Sequence, residues 1–261
     1  MNYGLTQRHA RFGATRRWFG VEAKERFLKL FERFCVDTAF YTIVPPVFSS
    51  QNLAAVPRSK HPRLISDDDS TSGMSVLIPL VTVDQKPSVL LTKRSIHLRS
   101  HRGEVCFPGG RKEPGESTTE TALRETFEEI GLTAEDVDIW GSMKSIIRRQ
   151  ADFHVTPIVG HVKDERVLET LKVSDDEVQS VFTIPIEELC KTAGLTKFKS
   201  KNISYTLPLY DCTDFKVHHN APKEYLHSTQ RIWGLSALML HQALTHLQPD
   251  GYNHDLVIKF F

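Results

Sequence analysis

The chain has 261 residues, of which 40% are apolar and 25% are charged. This composition is typical of a globular protein that can bury a sizeable core without disulfide or metal staples. A formal net charge of +1 excludes a generally basic nucleic-acid-binding protein. No run of 18 apolar residues occurs, so the sequence predicts no transmembrane helix. The four cysteines are scattered without a C-x-x-C pair, which argues against a disulfide framework or zinc site and favours a reducing compartment.

The N-terminal part of the chain divides into two segments. Residues 1–21 contain four arginines and no acidic residue. Such a start resembles a mitochondrial transit peptide, and the alternative is a basic arm. Residues 22–72 predict an added N-terminal helix, in which apolar side chains recur at helical spacing, followed by a polar, turn-rich linker.

The pattern of apolar runs changes at Ser75. Two short apolar runs flank a polar turn, which predicts a β-hairpin. Strands and helices then mix without regular alternation, which favours an α+β fold over a doubly wound sheet. We expect the main domain to cover 73–247 and a C-terminal tail to cover 248–261. In chain order, the predicted elements are hairpin strands at 75–83 and 88–92, a helix at 118–130, strands at 139–147 and 155–162, apolar segments at 178–186 and 206–210, and a helix at 228–247.

The helix predicted at 118–130 has clear start and stop signals. Ser117 and Glu120 form a capping-box pattern, and Gly131 suits the position that ends a helix. At 100° per residue, Leu123, Phe127 and Ile130 share a face. We expect that face to pack against the core.

Three glutamates, Glu125, Glu128 and Glu129, lie on average opposite that predicted core face. Each like-charge pair at this spacing costs roughly 0.2–0.5 kcal/mol on an exposed helix. A solvated acidic face is one interpretation. A divalent-cation site is the other, because Mg²⁺ or Mn²⁺ prefers oxygen ligands and would remove the repulsion. Arg124 lies close enough in sequence to pair with Glu120 or Glu116.

The surrounding frame favours the cation site. It runs from Gly110 through Glu116 to Arg124-Glu125-Thr126-Phe127-Glu128-Glu129-Ile130-Gly131-Leu132, and it resembles the Nudix box. Only Thr126 departs, where the family usually has an aliphatic residue. The resemblance implies a mixed β-sheet sandwiched between helices and metal-dependent hydrolysis of a nucleoside diphosphate linked to another moiety. It also implies that Glu125, Glu128 and Glu129 face the metal, that Glu116 and Arg124 position the loop, and that Glu125 or Glu128 is the general base, with Glu177 as a candidate outside the box.

The segment before the box suggests a substrate. Residues 90–110, Leu-Leu-Thr-Lys-Arg-Ser-Ile-His-Leu-Arg-Ser-His-Arg-Gly-Glu-Val-Cys-Phe-Pro-Gly-Gly, resemble the motif that precedes the box in coenzyme A diphosphatases. Six Lys or Arg residues lie between Lys93 and Lys112 against the single acid Glu104. Coenzyme A carries a 3′-phosphate besides its diphosphate, and arginine suits phosphate binding. The resemblance implies that the substrate-binding residues are Arg94, Arg99, His101, Gly103, Phe107, Gly109 and Gly110, although Phe107 could equally belong to the core.

The resemblance implies that the chain hydrolyses coenzyme A, and its acyl derivatives as a further candidate, to 3′,5′-ADP and 4′-phosphopantetheine or its acyl form. We expect a small-molecule substrate and no nucleic-acid partner, and the oligomeric state stays open. The alternatives are another nucleoside diphosphate derivative, capped RNA, or a non-catalytic Nudix-fold sensor. Residues 147–150 lack the Pro or Tyr that marks ADP-ribose or dinucleoside-polyphosphate members, and all the box carboxylates are present.

The basic N-terminus favours a mitochondrial location, with the peroxisome and cytosol as alternatives.

Overall fold

In the computed structural model, the described residues are 24–25, 43–44, 73–148, 153–200, 203–221, 226–248, 251–252, 254 and 258–260. Except for residues 24–25, which are helical, and the strand at 43–44, the predicted N-terminal arm, helix and linker lie outside this set. No described helix combines the length and the apolar character needed to cross a membrane. In chain order the elements are β1 (Ile43–Val44), β2 (Gly73–Val83), β3 (Lys86–Arg94), β4 (Val105–Cys106), β5 (Gly109–Arg111), α1 (Thr118–Ile130), β6 (Val137–Ser142), β7 (Ile146–Arg148), β8 (Phe153–Val162), β9 (Val178–Pro185), α2 (Ile186–Thr192), β10 (Ala193–Ser200), β11 (Ile203–Cys212), β12 (Lys216–Asn220), β13 (Gln230–Ile232), α3 (Gly234–Leu247) and β14 (Ile258–Phe260), with short 3₁₀ turns at Ala134–Asp136 and Glu165–Glu169.

The larger of two sheets is mixed, with the strand order β1-β7-β8-β2-β3-β9-β12. Strand β2 pairs in parallel with β8 and antiparallel with β3, and β4, β5 and β6 pair with β3, β2 and β8. Nearly every residue of β2 is buried, as expected for a central strand covered on both faces. The α+β prediction and the predicted mixed sheet are confirmed.

Two apolar clusters cover the two faces of this sheet. On one face, Leu77 and Leu90 pack with Ala122 and Ile130 of α1. On the other, alternate residues of β2 and β3 pack with α3 and with the smaller sheet. The smaller sheet has the order β10-β11-β13, and β14 also pairs with β11. The large sheet therefore lies between α1 on one side and α3 with the second sheet on the other.

The predicted hairpin is confirmed. Strands β2 and β3 pair from Leu80–Val89 to Val83–Lys86. Asp84 and Gln85 form the turn with φ of 48° and 65°. Positive φ at both central residues matches the right-handed twist of the paired strands.

The predicted start of the C-terminal helix was wrong. We expected it near Ser228, but α3 begins at Gly234 because Gln230–Ile232 pair with β11 as β13. Gly234 has φ of 64°, and its left-handed backbone turns the chain from strand into helix. The helix α2 and strands β10 and β12 were not predicted, since short segments carry little periodicity.

Candidate active site

The box helix α1 starts and ends where its local chemistry requires. The Ser117 hydroxyl accepts a hydrogen bond from the Glu120 N–H at 3.2 Å, and the Glu120 carboxylate accepts from the Ser117 N–H at 2.7 Å. At the other end Gly131 has φ of 73°, and its N–H donates to the Phe127 carbonyl. The predicted capping box and glycine stop are both confirmed.

The predicted core face of α1 is corrected by the structure. Ile130 is buried and Leu123 is half-buried, but the Phe127 side chain is 54% exposed. Glu129 is instead buried, with 6% exposure. The helix packs against β2 and β5, so its orientation follows those strands rather than its strongest apolar stripe. Thr126, the departure from the family pattern, is buried, and its hydroxyl donates to the Ala122 carbonyl at 2.6 Å.

The surroundings of Glu129 destabilise the charged form of its carboxylate. Burial raises its pKa to about 8, and the negative charges of Glu177 and Glu125 act in the same direction. A hydrogen bond from the Gly109 N–H at 3.2 Å and the positive charge of Arg94 oppose the shift. These effects place Glu125, Glu177 and Arg94 in the immediate surroundings of Glu129, although they come from three separate parts of the chain.

Glu125 and Glu128 occupy different environments on the same helix. Burial raises the pKa of Glu125. A Cβ atom added to Gly110 would lie 2.3 Å from the Glu125 carboxylate carbon, so a larger residue there would displace that carboxylate. Glu128 is exposed, and its carboxylate accepts a hydrogen bond from Arg124 at 3.1 Å. The two general-base candidates of the box therefore differ in solvent access.

Arg124 pairs with Glu116 rather than with Glu120. Its Nε lies 2.6 Å from one Glu116 oxygen and its Nη2 lies 3.2 Å from the other. This bond lowers the pKa of Glu116 to about 2. Glu116 also accepts from the Glu113 N–H, and Arg124 donates to the Arg111 carbonyl at 2.9 Å. The pair thus connects both ends of the loop between β5 and α1 to the helix.

The three box glutamates suit a divalent cation in their chemistry. They offer only oxygen donors, and the desolvated, mutually repelling pair Glu125 and Glu129 would be stabilised by a positive charge. Among the described residues, no three His, Cys, Asp or Glu side chains already converge closely enough to hold a metal ion. The side chain of Glu128 instead contacts Arg124.

A basic loop (Ser95–Glu104) connects β3 to β4. Arg99 and His101 on this loop are exposed. The loop is closed at its base by two backbone bonds of 3.0 Å, from Gly103 N–H to the Arg94 carbonyl and from Arg94 N–H to the Glu104 carbonyl. His101 and Gly103 have positive φ, and the His101 ring lies 2.9 Å from a Glu104 oxygen. The loop therefore holds its positive charges in a defined hairpin-like turn.

The structure places the predicted substrate-binding residues in different surroundings. Arg94 is half-buried at the end of β3 beside Glu129, whereas Arg99 and His101 lie on the open loop. Gly109, with φ of 147°, brings its N–H to Glu129, and a Cβ there would lie 2.3 Å from the Ser75 carbonyl. Phe107 is 2% exposed within the core, so of its two interpretations from the sequence the structure favours the core residue.

The structure brings Glu177, the general-base candidate outside the box, close to the box glutamates. Its side chain is exposed, and its charge raises the pKa of both Glu125 and Glu129. Two residues that the sequence did not single out, Asp175 and His219, contact each other next to it at 2.7 Å. Asp175 lies two residues before Glu177 in the sequence, but no local signal in the sequence connects His219 with this position.

Comparisons with known proteins identify the family of the chain. A model of the NUDIX domain matches residues 71–205, just over half of the chain. "Nudix hydrolase 3" from Caenorhabditis elegans is 66% identical over 262 residues, covering 100% of both chains. "Mitochondrial coenzyme A diphosphatase NUDT8" from Homo sapiens is 34% identical over 186 residues, covering 69% of this chain and 72% of that protein. A crystal structure of a C. elegans Ap4A hydrolase matches with a TM-score of 0.37 and 23% identity, over 45% of this chain and 83% of that one. The domain match and the full-length relative, together with the capped glutamate helix, show that the chain belongs to the Nudix family and is a hydrolase of a diphosphate bond.

Proposed function

We propose that this Nudix hydrolase cleaves the diphosphate bond of coenzyme A and of acyl-coenzyme A. The products are 3′,5′-ADP and 4′-phosphopantetheine or its acylated form. The observation that carries the proposal is the position of the basic loop, whose base at Arg94 lies beside Glu129 while Arg99 projects from the open turn. An anion bound at the box would thus have a second cluster of positive charge next to it. The relatives named coenzyme A diphosphatases support the same substrate.

The proposed hydrolysis has three chemical requirements. Water must attack one phosphorus atom, the bond from that phosphorus to the bridging oxygen must break, and a carboxylate must accept the proton that the water loses. Nudix hydrolases need a divalent ion, which we propose to be Mg²⁺ or Mn²⁺ held by Glu125, Glu128 and Glu129. When bound, the ion supplies positive charge that offsets the anionic diphosphate and makes water easier to deprotonate.

The chain's own residues have separable tasks in this proposal. The Glu116–Arg124 pair holds the loop between β5 and α1, which directly follows the strand that carries Gly109 and Gly110. Gly109 and Gly110 allow the backbone and the glutamates to approach each other closely. Glu125, half-buried and near Arg124, is the box candidate for the general base, with exposed Glu128 as the alternative and Glu177 as the acid outside the box.

The two arginines of the proposed substrate site are expected to contact different phosphates. Arg94 is half-buried and close to the box carboxylates, which suits the diphosphate. Arg99 is exposed on the basic loop, which suits the 3′-phosphate on the ribose. Guanidinium groups bind phosphate oxygens through two parallel hydrogen bonds.

A substrate panel tests the reaction. The purified protein with Mg²⁺ or Mn²⁺ would be incubated with coenzyme A, acyl-coenzyme A, ADP-ribose, NADH, diadenosine polyphosphates and capped RNA, and the products identified by mass. We expect 3′,5′-ADP from coenzyme A. Release of inorganic phosphate with dephospho-coenzyme A would contradict the proposal, as would preference for another panel member. Loss of hydrolysis of every compound would favour a non-catalytic sensor.

Variants of the arginines test the substrate assignment. Replacing Arg99 by Ala removes a charge-assisted hydrogen bond worth roughly 1.5–3 kcal/mol, or about tenfold to a hundredfold in kcat/KM for coenzyme A. Dephospho-coenzyme A lacks the 3′-phosphate, so its constants should barely change. We expect Arg94→Ala to weaken both substrates, because Arg94 lies beside the box. Arg166→Ala, on a distant exposed turn, is the control. An equal loss for both substrates in Arg99→Ala would exclude the 3′-phosphate role.

The proposed location is the mitochondrion. The acid-free, Arg-rich residues 1–21 support it, as does the human relative, which is named a mitochondrial enzyme. A fusion of residues 1–40 to a fluorescent protein should accumulate in mitochondria, and a diffuse or peroxisomal signal would contradict the location.

A further inference from the structure

An acidic turn (Ser174–Glu177) lies between three parts of the molecule. The Ser174 N–H donates to the Glu129 carbonyl of α1 at 3.0 Å. The Glu177 carbonyl accepts from the Ser95 N–H, at the start of the basic loop, at 2.9 Å. Within the turn, the Glu177 and Val178 N–H groups both donate to the Ser174 carbonyl. The acidic turn thus connects the box helix with the basic loop through backbone bonds.

The third connection runs through side chains to strand β12. The His219 Nε2 lies 2.7 Å from a carboxylate oxygen of Asp175. His219 is mostly covered, with 27% of its side chain exposed, whereas half of the Asp175 side chain is exposed. The distance is that of a good hydrogen bond, and it becomes charge-assisted when the imidazole donates to the carboxylate.

A β-bulge in β12 gives this histidine its direction. The register with β9 runs from Val217–Phe182 directly to His219–Val181, so His218 is an extra residue on the β12 side. The His218 ring contacts the Thr183 hydroxyl at 2.9 Å, while His219 reaches back to the acidic turn. Bulges commonly redirect a side chain next to a functional site.

We propose that the Asp175–His219 pair is a positioning device that holds the acidic turn so that the Glu177 carboxylate faces Glu125 and Glu129. Glu177 then takes part in the hydrolysis as an acid–base carboxylate outside the box. The Asp175–His219 pair affects the reaction through Glu177. This inference builds on the proposed hydrolase function but does not depend on coenzyme A being the substrate.

The contribution of such a pair to overall stability is small. Partly exposed ion pairs typically contribute about 0–1 kcal/mol, since solvent screens them. Small displacements of a catalytic group, in contrast, can lower turnover greatly. The pair is therefore expected to affect kcat much more than the unfolding temperature.

The test is a double-mutant cycle in the full-length protein. Glu177→Gln should lower kcat about a hundredfold or more, as expected for loss of an acid–base group. His219→Ala should lower kcat by about fivefold to tenfold, with KM changed less than about twofold, and should have no further effect in the Glu177→Gln background. His219→Gln keeps an N–H near the position of Nε2 and should retain most of the turnover.

Strand β12 also offers a matched control. Lys216, at its other end, pairs with Asp84 of the β2–β3 turn at 2.8 Å. Asp84→Asn removes an ion pair from the same strand without touching the acidic turn, and kcat should not change. Asp176→Asn removes a neighbouring exposed acid and therefore controls for a general loss of negative charge.

A second readout requires neither metal nor substrate. In His219→Ala, the backbone amides of Ser95 and Ser174 should exchange hydrogen faster than in the wild type, while those of β2 stay unchanged. Equal losses from His219→Ala in both backgrounds, unchanged turnover in either single variant, or unchanged amide exchange would overturn the proposal. The assay uses whichever panel compound is hydrolysed, so failure of the coenzyme A assignment is distinguishable from failure of this inference.

Discussion

Single residues of the box show how burial changes the role of a carboxylate. Glu129 and Glu128 are adjacent in sequence, but Glu129 is buried and Glu128 is exposed. The pKa of Glu129 is raised from 4.5 to about 8, mainly because burial removes water from the charged form. Between those values the folded protein binds more protons than the unfolded chain, so this group lowers stability progressively as pH rises from 4.5 to about 8.

Glu129→Gln is predicted to remove this pH dependence. In metal-free protein the variant should gain stability relative to wild type as pH rises from 5 to 8, by up to a few kcal/mol at about 1.4 kcal/mol per pKa unit. The glutamine oxygen can still accept from the Gly109 N–H. Thermal unfolding at a series of pH values in chelator measures the effect, and a stability difference that does not change with pH would contradict it. Glu128→Gln is the second variant for the activity assay. Both variants should lose most hydrolytic activity, and near-normal turnover in both would exclude the proposed metal site.

At the scale of the element, the strands against which α1 packs determine which of its faces is buried. The aromatic Phe127 points largely to solvent, while Ile130 and the polar Thr126 are buried. The helix begins and ends at local signals, but its orientation follows contacts with β2 and β5. Local capping and tertiary packing therefore control different properties of the same helix.

Two alanine substitutions in α1 test the observed orientation. Ile130→Ala should lower the free energy of unfolding by roughly 2–5 kcal/mol, because it deletes buried methyl groups and leaves a cavity. Phe127→Ala should change it by only about 0.5 kcal/mol, as at other exposed positions. Urea unfolding measures both. Similar losses in the two variants would instead fit the face expected from the sequence alone.

At the scale of the whole molecule, a buried polar network connects the smaller sheet, α3 and the segment after it. The Tyr252 hydroxyl lies 2.5 Å from the Tyr210 hydroxyl and 2.9 Å from Nδ1 of His241. Tyr210 is completely buried on β11, and His241 lies on α3. The network thus fixes residues that are far apart in sequence on the side of the large sheet opposite α1.

Tyr252→Phe should destabilise the protein without changing its chemistry. The change removes the hydroxyl shared by Tyr210 and His241, and a buried polar group that loses its partner typically costs about 1–3 kcal/mol. The unfolding temperature should fall while kcat and KM for the hydrolysed compound stay at wild-type values. A selective loss of turnover would show that this network reaches the active site.

The features that the sequence determined by itself are those governed by neighbours along the chain. The capping box at Ser117, the stop at Gly131 and the β2–β3 hairpin depend on hydrogen bonds and backbone angles within a few residues. The resemblance to the Nudix box likewise rests on residues close together in the chain, from Glu116 to Glu129.

The tertiary structure decided the features that depend on distant parts of the chain. Burial of Glu129 and exposure of Phe127 follow from the strands on which α1 packs, and the start of α3 follows from the pairing of β13 with β11. The approach of Glu177 to the box, and the contact between Asp175 and His219, join segments separated by about 45 residues or more. Burial, pKa and contacts depend on the three-dimensional surroundings that form on folding. The order of residue types along the chain does not specify those surroundings directly.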